Sequence, residues 1–385
     1  MKETVKGFRD IEGEESEKRA RIRKIIAEEF ELYGFEPAET PVIEYEDFVR
    51  GENKQDEAVS DIFKLKDKGD RNLALRYEFT FQLKRLAENK KLPYKRYQIG
   101  EVFRDEPISL NRFRQFTQCD VDIVGSTIKS EAEILSVVKR LFEILKIKNT
   151  IYINNRKLLN EILSEQKIEN KNEVMKEIDK MDKLPEKEII ENLKKFKAEK
   201  IIKILKNKED YFKKFKSYEE IEELKKYCKM YNVKVEFQPF LVRGLSYYNG
   251  SIFEIKSELK ESISGGGSYN VNGIQATGIS FGLDRLAFVS KIAIENNKVV
   301  IISLDQDKKS IELAEKLRNE KINCVLMFGK PSKALEYANA YKIKYAVFLG
   351  EEEVKKKRFK IKDLKTGKEE NVSEKDMVKK LLRKF

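Results

Sequence analysis

Two adjacent segments between residues 96 and 125 constrain the fold of this chain most, because together they predict an antiparallel hairpin. The segment 97–104 contains β-branched and aromatic residues and no proline, as a strand does. The segment 113–124 alternates apolar and polar side chains over its latter part. Turn-forming residues, Pro107 among them, separate the two segments.

The hairpin is also rich in charged side chains. Three arginines close together suit a polyphosphate, because the guanidinium fork matches phosphate oxygens bidentately. A solvated edge hairpin with charges that keep it soluble explains the same pattern equally well. The polar residues concerned are Arg104 and Glu106 near the end of the first strand, and Arg112, Arg114, Gln118 and Asp122 on the second.

Three further blocks decide between these interpretations. They are Arg243-Gly-Leu-Ser-Tyr-Tyr248, Gly265-Gly-Gly-Ser-Tyr269 and Gly282-Leu-Asp-Arg285. With the hairpin, they resemble the class II aminoacyl-tRNA synthetases and, within that class, the histidyl-tRNA synthetase family. Phe103-Arg-Asp-Glu106 with Arg112 and Phe116 resembles motif 2 of the class, Gly282 to Arg285 resembles motif 3, and the other two blocks resemble the signatures of the histidine enzymes.

The resemblance implies a ligase that uses ATP with Mg²⁺ to form histidyl-adenylate, and that transfers histidine to the terminal adenosine of tRNA(His). It implies no metal site formed by protein side chains. The catalytic residues that it implies are Arg104, Arg243 and Arg285. The ATP-binding residues are Arg104, Glu106, Arg112 and Arg285. The histidine-binding residues are Glu78, Thr80, Gln118, Asp122, Arg243, Tyr247, Tyr248 and Tyr269.

Three positions depart from the family pattern. Ser246 replaces a frequent Asp, Ser268 a frequent Arg, and Asn270 a frequent Asp. The departures leave the phosphate-binding arginines intact, which favours an enzyme. A non-catalytic paralogue, acting as a regulatory subunit of histidine biosynthesis or as a sensor of uncharged tRNA, is the alternative. A bare RNA-binding protein is a third possibility, but it would not need Glu78, Asp122 and the glycine run.

The predicted fold is an α+β catalytic core, an antiparallel sheet flanked by helices, with a helical insertion and a C-terminal α/β domain. We expect the core at 1–150 and 233–296 and the lysine- and glutamate-rich insertion at 151–232. Helices are predicted at 14–33, 81–88, 130–146 and 284–294. Strands are predicted at 60–65, 72–77, 233–241 and 251–255. In the family, the first helix and the strand after it form motif 1, which implies a homodimer.

Residues 297–385 alternate strand and helix in a βαβαβ order, which predicts a mostly parallel α/β domain. Predicted strands are 299–303, 324–327, 345–349 and 358–363, and predicted helices are 308–319, 334–341 and 375–382. The segment holds 23 basic and 14 acidic residues, an excess of nine positive charges. This charge suits a nucleic-acid partner, although a generic lysine-rich surface would look the same. By resemblance it is an anticodon-binding domain.

Composition excludes several classes of mechanism. The chain contains no histidine, so a Ser–His or Cys–His nucleophile pair and a histidine-ligated metal are ruled out. Gly278 to Gly282 fits a nucleophile-elbow pattern, but no histidine can activate Ser280. The three separate cysteines argue for a reducing compartment. No apolar run spans a membrane and the N-terminus is charged, so we expect a cytoplasmic protein without a signal peptide.

Overall fold

A computed structural model describes residues 3–51, 57–109, 112–182, 184–243, 247–259, 261–293 and 298–384. The chain forms two compact units, Met1–Ile292 and Ala293–Phe385. Within the described residues, no helix combines the length and the apolarity that crossing a membrane requires.

The first unit is built on a mixed, largely antiparallel sheet. Among the described residues this sheet has eight strands in the order β1-β5-β6-β11-β10-β9-β7-β8, and a smaller sheet has the order β2-β4-β3. The strands are β1 (Glu36–Pro37), β2 (Ile43–Tyr45), β3 (Lys64–Lys66), β4 (Asn72–Leu75), β5 (Tyr94–Phe103), β6 (Gln115–Val124), β7 (Thr150–Asn155), β8 (Glu236–Phe237), β9 (Tyr248–Lys256), β10 (Ser264–Val271) and β11 (Ile274–Gly282).

Helices cover one face of the large sheet and extend into a helical segment. They are α1 (Gly13–Leu32), α2 (Glu46–Arg50), α3 (Glu57–Ser60), α4 (Thr80–Leu86), α5 (Ile128–Ile144), α6 (Arg156–Glu165), α7 (Lys171–Ile178), α8 (Glu186–Lys194), α9 (Ile201–Leu205), α10 (Glu209–Phe212), α11 (Tyr218–Met230) and α12 (Leu283–Val289), with a 3-10 turn at Asp179–Asp182.

The predicted hairpin is present and forms the centre of the sheet. Strands β5 and β6 pair antiparallel along their whole length, from Tyr94 opposite Val124 to Phe103 opposite Gln115. Val121 and Ile123 on one face of β6 are completely buried under α1 and α5, whereas the other face carries polar side chains. The alternation of the sequence therefore produces one core face and one polar face.

Helix α1 begins and ends close to the predicted bounds. Ile22, Ile26 and Phe30, spaced by four residues, are completely buried and form its core stripe. The Phe30 ring lies 5.5 Å from the ring of Tyr97 on β5. Gly34 follows the helix with φ of +77°, a left-handed conformation that glycine adopts readily at a helix C-terminus.

Several predicted elements are shorter than the sequence suggested. The strand predicted at 233–241 is confined to Glu236–Phe237, an edge strand that pairs with β7. The strand predicted at 60–65 is reduced to Lys64–Lys66, preceded by a helical turn. The helix predicted at 284–294 ends at Val289, and residue 294 lies outside the described residues. Propensity alone does not set these ends, because pairing and packing partners decide where an element stops.

The helical segment begins five residues later than predicted. Residues 150–155 form β7, which pairs with β9 in the large sheet. The side chain of Asn155 then accepts a hydrogen bond of 2.8 Å from the Lys157 N–H and starts α6. Buried residues of α6 to α11 belong to the same hydrophobic core as the sheet.

The second unit has the predicted α/β alternation. Its strands are β12 (Lys298–Ser303), β13 (Asn323–Phe328), β14 (Tyr345–Leu349), β15 (Arg358–Asp363) and β16 (Glu369–Ser373). Its helices are α13 (Asp307–Asn319), α14 (Pro331–Ala340), α15 (Glu351–Lys356) and α16 (Glu374–Lys384). Strands β13, β12 and β14 are parallel, and β15 and β16 extend the sheet antiparallel. The sequence did not predict α15 and β16.

Candidate functional site

On the polar face of the large sheet, glycines leave room for the neighbouring candidate site residues. Arg96, Asp122, Gly278 and Gly267 form one row across four neighbouring strands. A Cβ atom on Gly278 would lie 2.0 Å from Oδ1 of Asp122, and one on Gly267 would lie 2.9 Å from the Tyr248 ring. These glycines therefore leave the space in which the carboxylate and the phenol ring lie against the sheet.

Asp122, which the sequence suggested as the imidazole acceptor, is buried and has two partners. The hydroxyl of Tyr269 donates a hydrogen bond to Oδ1. Nη2 of Arg96 lies 3.0 Å from Oδ2. Burial raises the pKa of Asp122, while Arg96 and the Tyr269 hydroxyl favour its ionised form. The sequence analysis suggested neither contact, although the hairpin register, which places Arg96 opposite Asp122, was a signal for the contact with Arg96.

Next to Asp122 lies a cluster of tyrosines and an acid. The ring of Tyr247 lies 4.8 Å from that of Tyr248 and 5.5 Å from that of Tyr269. Burial raises the pKa of Tyr247, the charge of Glu78 raises it further, and a hydrogen bond with Thr80 opposes both. Glu78 and Thr80, separated from the tyrosines by more than 160 residues of sequence, thus lie beside them. A buried carboxylate at this point suits an ammonium group.

Gln118 faces a second buried acid that the sequence analysis did not select. Its Nε2 donates to Oδ2 of Asp120 at 3.2 Å. Burial raises the pKa of Asp120, and the neighbouring charge of Asp122 raises it further. Gln118, Asp120 and Asp122 alternate along β6 and so share the polar face.

Two arginines of the hairpin lie next to one carboxylate, whereas Arg114 pairs with Asp105 at 2.9 Å. Arg112 forms an ion pair with Glu106, and Nη1 of Arg104 lies 3.9 Å from Oε1 of the same residue. Nε of Arg104 also donates to the Tyr77 carbonyl at 3.1 Å. Burial lowers the pKa of Arg285, and the charges of Arg112 and Arg104 lower it further. The predicted phosphate-binding residues therefore lie within electrostatic reach of one another.

Arg243 lies flat on the glycine strand β10. A Cβ atom on Gly265 would lie 2.4 Å from its guanidinium carbon. Nη1 of Arg243 is 3.4 Å from Oε1 of Glu254, and the Ser262 hydroxyl donates to that oxygen at 2.5 Å. The Ser262 carbonyl accepts from Arg285 at 2.7 Å, so a chain of contacts joins Arg243 to the motif 3 arginine.

The helix that carries Arg285 is tied to the N-terminal helix. Nη1 of Arg19 donates to Oδ1 of Asp284 at 2.5 Å, and the Thr117 N–H donates to Oδ2 at 3.2 Å. Asp284 therefore joins α1, β6 and α12 at the start of the helix, where an acidic side chain also suits the helix dipole. The sequence identified Asp284 only as part of a motif.

Two of the three departures from the family pattern lie within the described residues. Ser268 is buried on the opposite face of β10 and donates to Glu131 on α5. Asn270 is exposed. Ser246, with its neighbours 244 and 245, lies outside the described residues. Among the described residues, no group of three or more acidic or cysteine side chains is arranged to bind a metal ion.

Known families and proteins resemble this chain over most of its length. The family model "Histidyl-tRNA synthetase" matches residues 7–286, and "Anticodon binding domain" matches residues 298–384. The chain is 35% identical to "Histidine--tRNA ligase 1" of Bacillus anthracis, over 96% of this chain and 97% of that protein.

Among solved structures, histidyl-tRNA synthetase from Nostoc sp. PCC 7120 superposes with a TM-score of 0.87, at 24% identity and over the full length of both chains. An ATP phosphoribosyltransferase regulatory subunit/histidyl-tRNA synthetase from Bacillus halodurans C has a TM-score of 0.74 at 20% identity, covering 88% of this chain and 96% of the other. At these identities the two structures support the fold alone. The family model and the curated relative extend over most of the chain, and the chain therefore belongs to the histidyl-tRNA synthetase family.

Proposed function

We propose that this protein is a histidine–tRNA ligase that activates histidine with ATP and transfers it to the terminal adenosine of tRNA(His). One observation carries the proposal. On one sheet, a buried carboxylate bonded by a tyrosine hydroxyl accompanies a set of arginines around Glu106. The first group suits an imidazole and the second suits the phosphates of a nucleotide.

In the first step, a carboxylate oxygen of histidine attacks the α-phosphorus of ATP in line with the departing pyrophosphate. A P–O bond to the amino acid forms and the bond to pyrophosphate breaks. Negative charge accumulates on phosphate oxygens, so fixed cations contribute more than a proton acceptor. Arg104 and Arg243 would hold the α-phosphate from two sides, and Arg112 and Arg285 the outer phosphates. Mg²⁺ would enter with the nucleotide, held by phosphates and water.

Histidine selection would come from acceptors for the imidazole N–H groups. Asp122 and the Tyr248 hydroxyl would each meet one ring nitrogen, and Glu78 with Thr80 would bind the ammonium group. Gln118, Tyr247 and Tyr269 would complete the walls. A pocket built to hydrogen-bond both nitrogens rejects an apolar isostere, because its own buried polar groups would be left unpaired.

In the second step, a ribose hydroxyl of the terminal adenosine attacks the carbonyl carbon of the adenylate, and AMP leaves. We assign tRNA anticodon binding to residues 297–385, catalysis to 1–150 with 233–296, and contact near the acceptor end to the helical segment predicted at 151–232. The positive charge of the second unit supports its part of this assignment. We further propose a cytoplasmic homodimer.

ATP–pyrophosphate exchange with each amino acid in turn tests the proposal. We expect histidine alone among the standard amino acids to support exchange, and tRNA(His) to be charged. Exchange with another amino acid would refute the histidine assignment.

A regulatory role is the second candidate, because the ATP phosphoribosyltransferase regulatory subunit/histidyl-tRNA synthetase of Bacillus halodurans has a similar fold. A non-catalytic paralogue has no need of converging phosphate-binding arginines, which this chain retains at 104, 112, 243 and 285. The same exchange assay separates the two, since a protein that binds histidine without any pyrophosphate exchange would be the regulatory one.

A further inference from the structure

Arg96 is a buried charge that the proposed reaction does not use. It lies opposite Asp122 in the β5–β6 register, and its side chain is completely buried. Besides its 3.0 Å contact with Oδ2 of Asp122, its Nη2 donates to the Phe79 carbonyl at 3.3 Å. A guanidinium is costly to remove from water, so a buried one needs compensating anions.

Arg96 shares this buried space with two acids. Asp120 and Asp122 stand two residues apart on the same face of β6 and both act electrostatically on Arg96. Burial raises the pKa of each carboxyl, and Arg96 opposes that rise in both. Without Arg96, two like charges would face each other with no nearby cation, and one of them would take up a proton as the pH falls toward neutrality.

The contact between Arg96 and Asp122 leaves acceptor capacity on the carboxylate. The 3.0 Å approach is an ion pair without aligned hydrogen-bond geometry, and among the described residues Oδ2 of Asp122 has no hydrogen-bond donor. The buried Oδ1 of Asp120 is likewise without one. Tyr269 holds the other oxygen of Asp122. The carboxylate is therefore fixed and charged while it still has lone pairs for a further N–H donor.

We propose that Arg96 is a positioning residue for histidine recognition, which holds Asp122 ionised and oriented so that the imidazole N–H meets a full negative charge. This inference rests on the proposed function, since it takes histidine as the ligand. The other titratable groups near Asp122 are Tyr94 on β5, Asp120 on β6, Tyr269 on β10 and Tyr248 on β9, with Glu78 acting on Tyr248. Strand β11 places Gly278 opposite Asp122.

The test compares Arg96→Met, which removes the charge, with Arg96→Lys, which retains it. The KM for histidine in ATP–pyrophosphate exchange is measured as a function of pH, together with the KM for ATP and the rate at saturating histidine. For Arg96→Met we expect the histidine KM to rise about tenfold at neutral pH, and its acid limb to move up by about one pH unit. The KM for ATP should stay the same, and Arg96→Lys should restore most of the histidine affinity.

Asp120→Asn should shift the pH dependence of the histidine KM in the direction opposite to Arg96→Met. This variant keeps the ion pair between Arg96 and Asp122, so it leaves no buried charge without a partner. It removes the like charge beside Asp122 and keeps Arg96, so the acid limb of the histidine KM should move to lower pH. If Arg96→Met does not fold, Asp120→Asn and the double variant Arg96→Met with Asp120→Asn carry the test.

The outcomes also separate this inference from the proposed function. Wild-type protein without histidine-dependent exchange overturns both. Active wild-type protein whose folded variants keep an unshifted pH profile for the histidine KM overturns the role of Arg96 alone. A lowered melting temperature with that unshifted profile indicates a purely structural arginine and likewise overturns it.

Discussion

At the scale of single residues, the site depends on charged side chains that their neighbours hold in fixed positions. Arg243 is pressed against Gly265 by the geometry of the strand, and Asp122 lies between Tyr269 and Arg96. The sequence motifs suggested Arg243 and Asp122. They did not suggest Arg96, Asp120 or Glu131, because whether a charged side chain is buried depends on which residue faces it across a strand or under a helix.

The first prediction concerns Arg243. Arg243→Ala should reduce histidine-dependent exchange by the loss of about 2–4 kcal/mol of transition-state stabilisation, as the removal of one preorganised donor does. Exchange rates and tRNA binding are measured on the same protein, and tRNA binding should be retained. Arg318→Ala, which removes an exposed arginine of the second unit, is the matched control. Near-normal adenylate formation by the Arg243 variant would contradict its assignment.

The second prediction concerns the Tyr248 hydroxyl. Tyr248→Phe keeps the buried ring and removes one hydrogen-bonding group for the imidazole, at a cost of about 0.5–1.5 kcal/mol. We expect the histidine KM to rise by up to about tenfold while the ATP KM is unchanged. Tyr231→Phe, on a ring that is 44% exposed, controls for loss of a tyrosine hydroxyl. Equal changes in both KM values would show that Tyr248 does not discriminate between the substrates.

At the scale of elements, the hairpin could be predicted because its two strands are adjacent in sequence and alternate regularly. The short strand β8 could not, because it is an edge strand whose length is set by pairing with β7. Strand β7 itself was taken for the start of a helical insertion, since its partner β9 lies about a hundred residues away. Local pattern predicts an element, but distant partners determine its bounds.

Helix α5 carries a buried acid that links the core to the back of the glycine strand. Glu131 accepts from the Ser268 hydroxyl, and burial raises its pKa from 4.5 to about 6. The folded state therefore favours the protonated form. The stabilising contribution of this group is complete below pH 4.5 and is lost as the pH rises through about 6.

Glu131→Gln should remove this pH dependence, because the amide resembles the protonated acid and does not titrate. At neutral pH we expect the variant to be more stable than wild type by up to about 2 kcal/mol, and the difference to vanish at acidic pH. Thermal unfolding of both proteins from acidic to neutral pH measures this difference in stability. Glu169→Gln, at an exposed position, is the control, and its stability should depend on pH as that of the wild type does. A stability difference that is constant with pH would contradict the burial argument.

At the scale of the whole molecule, two compact units divide the chain, Met1–Ile292 and Ala293–Phe385. The first unit contains every proposed catalytic residue. The second is a small sheet with helices, with most of the excess positive charge.

The last prediction separates amino-acid activation by the first unit from tRNA binding by the second. A chain ending at residue 293 should retain histidine-dependent exchange, because the arginines and the histidine pocket all lie before that point. It should bind tRNA(His) more weakly and with a shallower dependence on salt, since each lost phosphate contact reduces the slope of log affinity against log salt by about 0.7–0.9. In the full chain, Lys357→Glu with Lys365→Glu should weaken tRNA binding in the same sense without changing exchange. Lys234→Glu with Lys66→Glu, on side chains of the first unit that are 90% and 61% exposed, controls for the same change of net charge. If the truncated chain charges tRNA as efficiently as the full chain, the second unit does not contribute to tRNA binding, and its positive charge serves solubility instead.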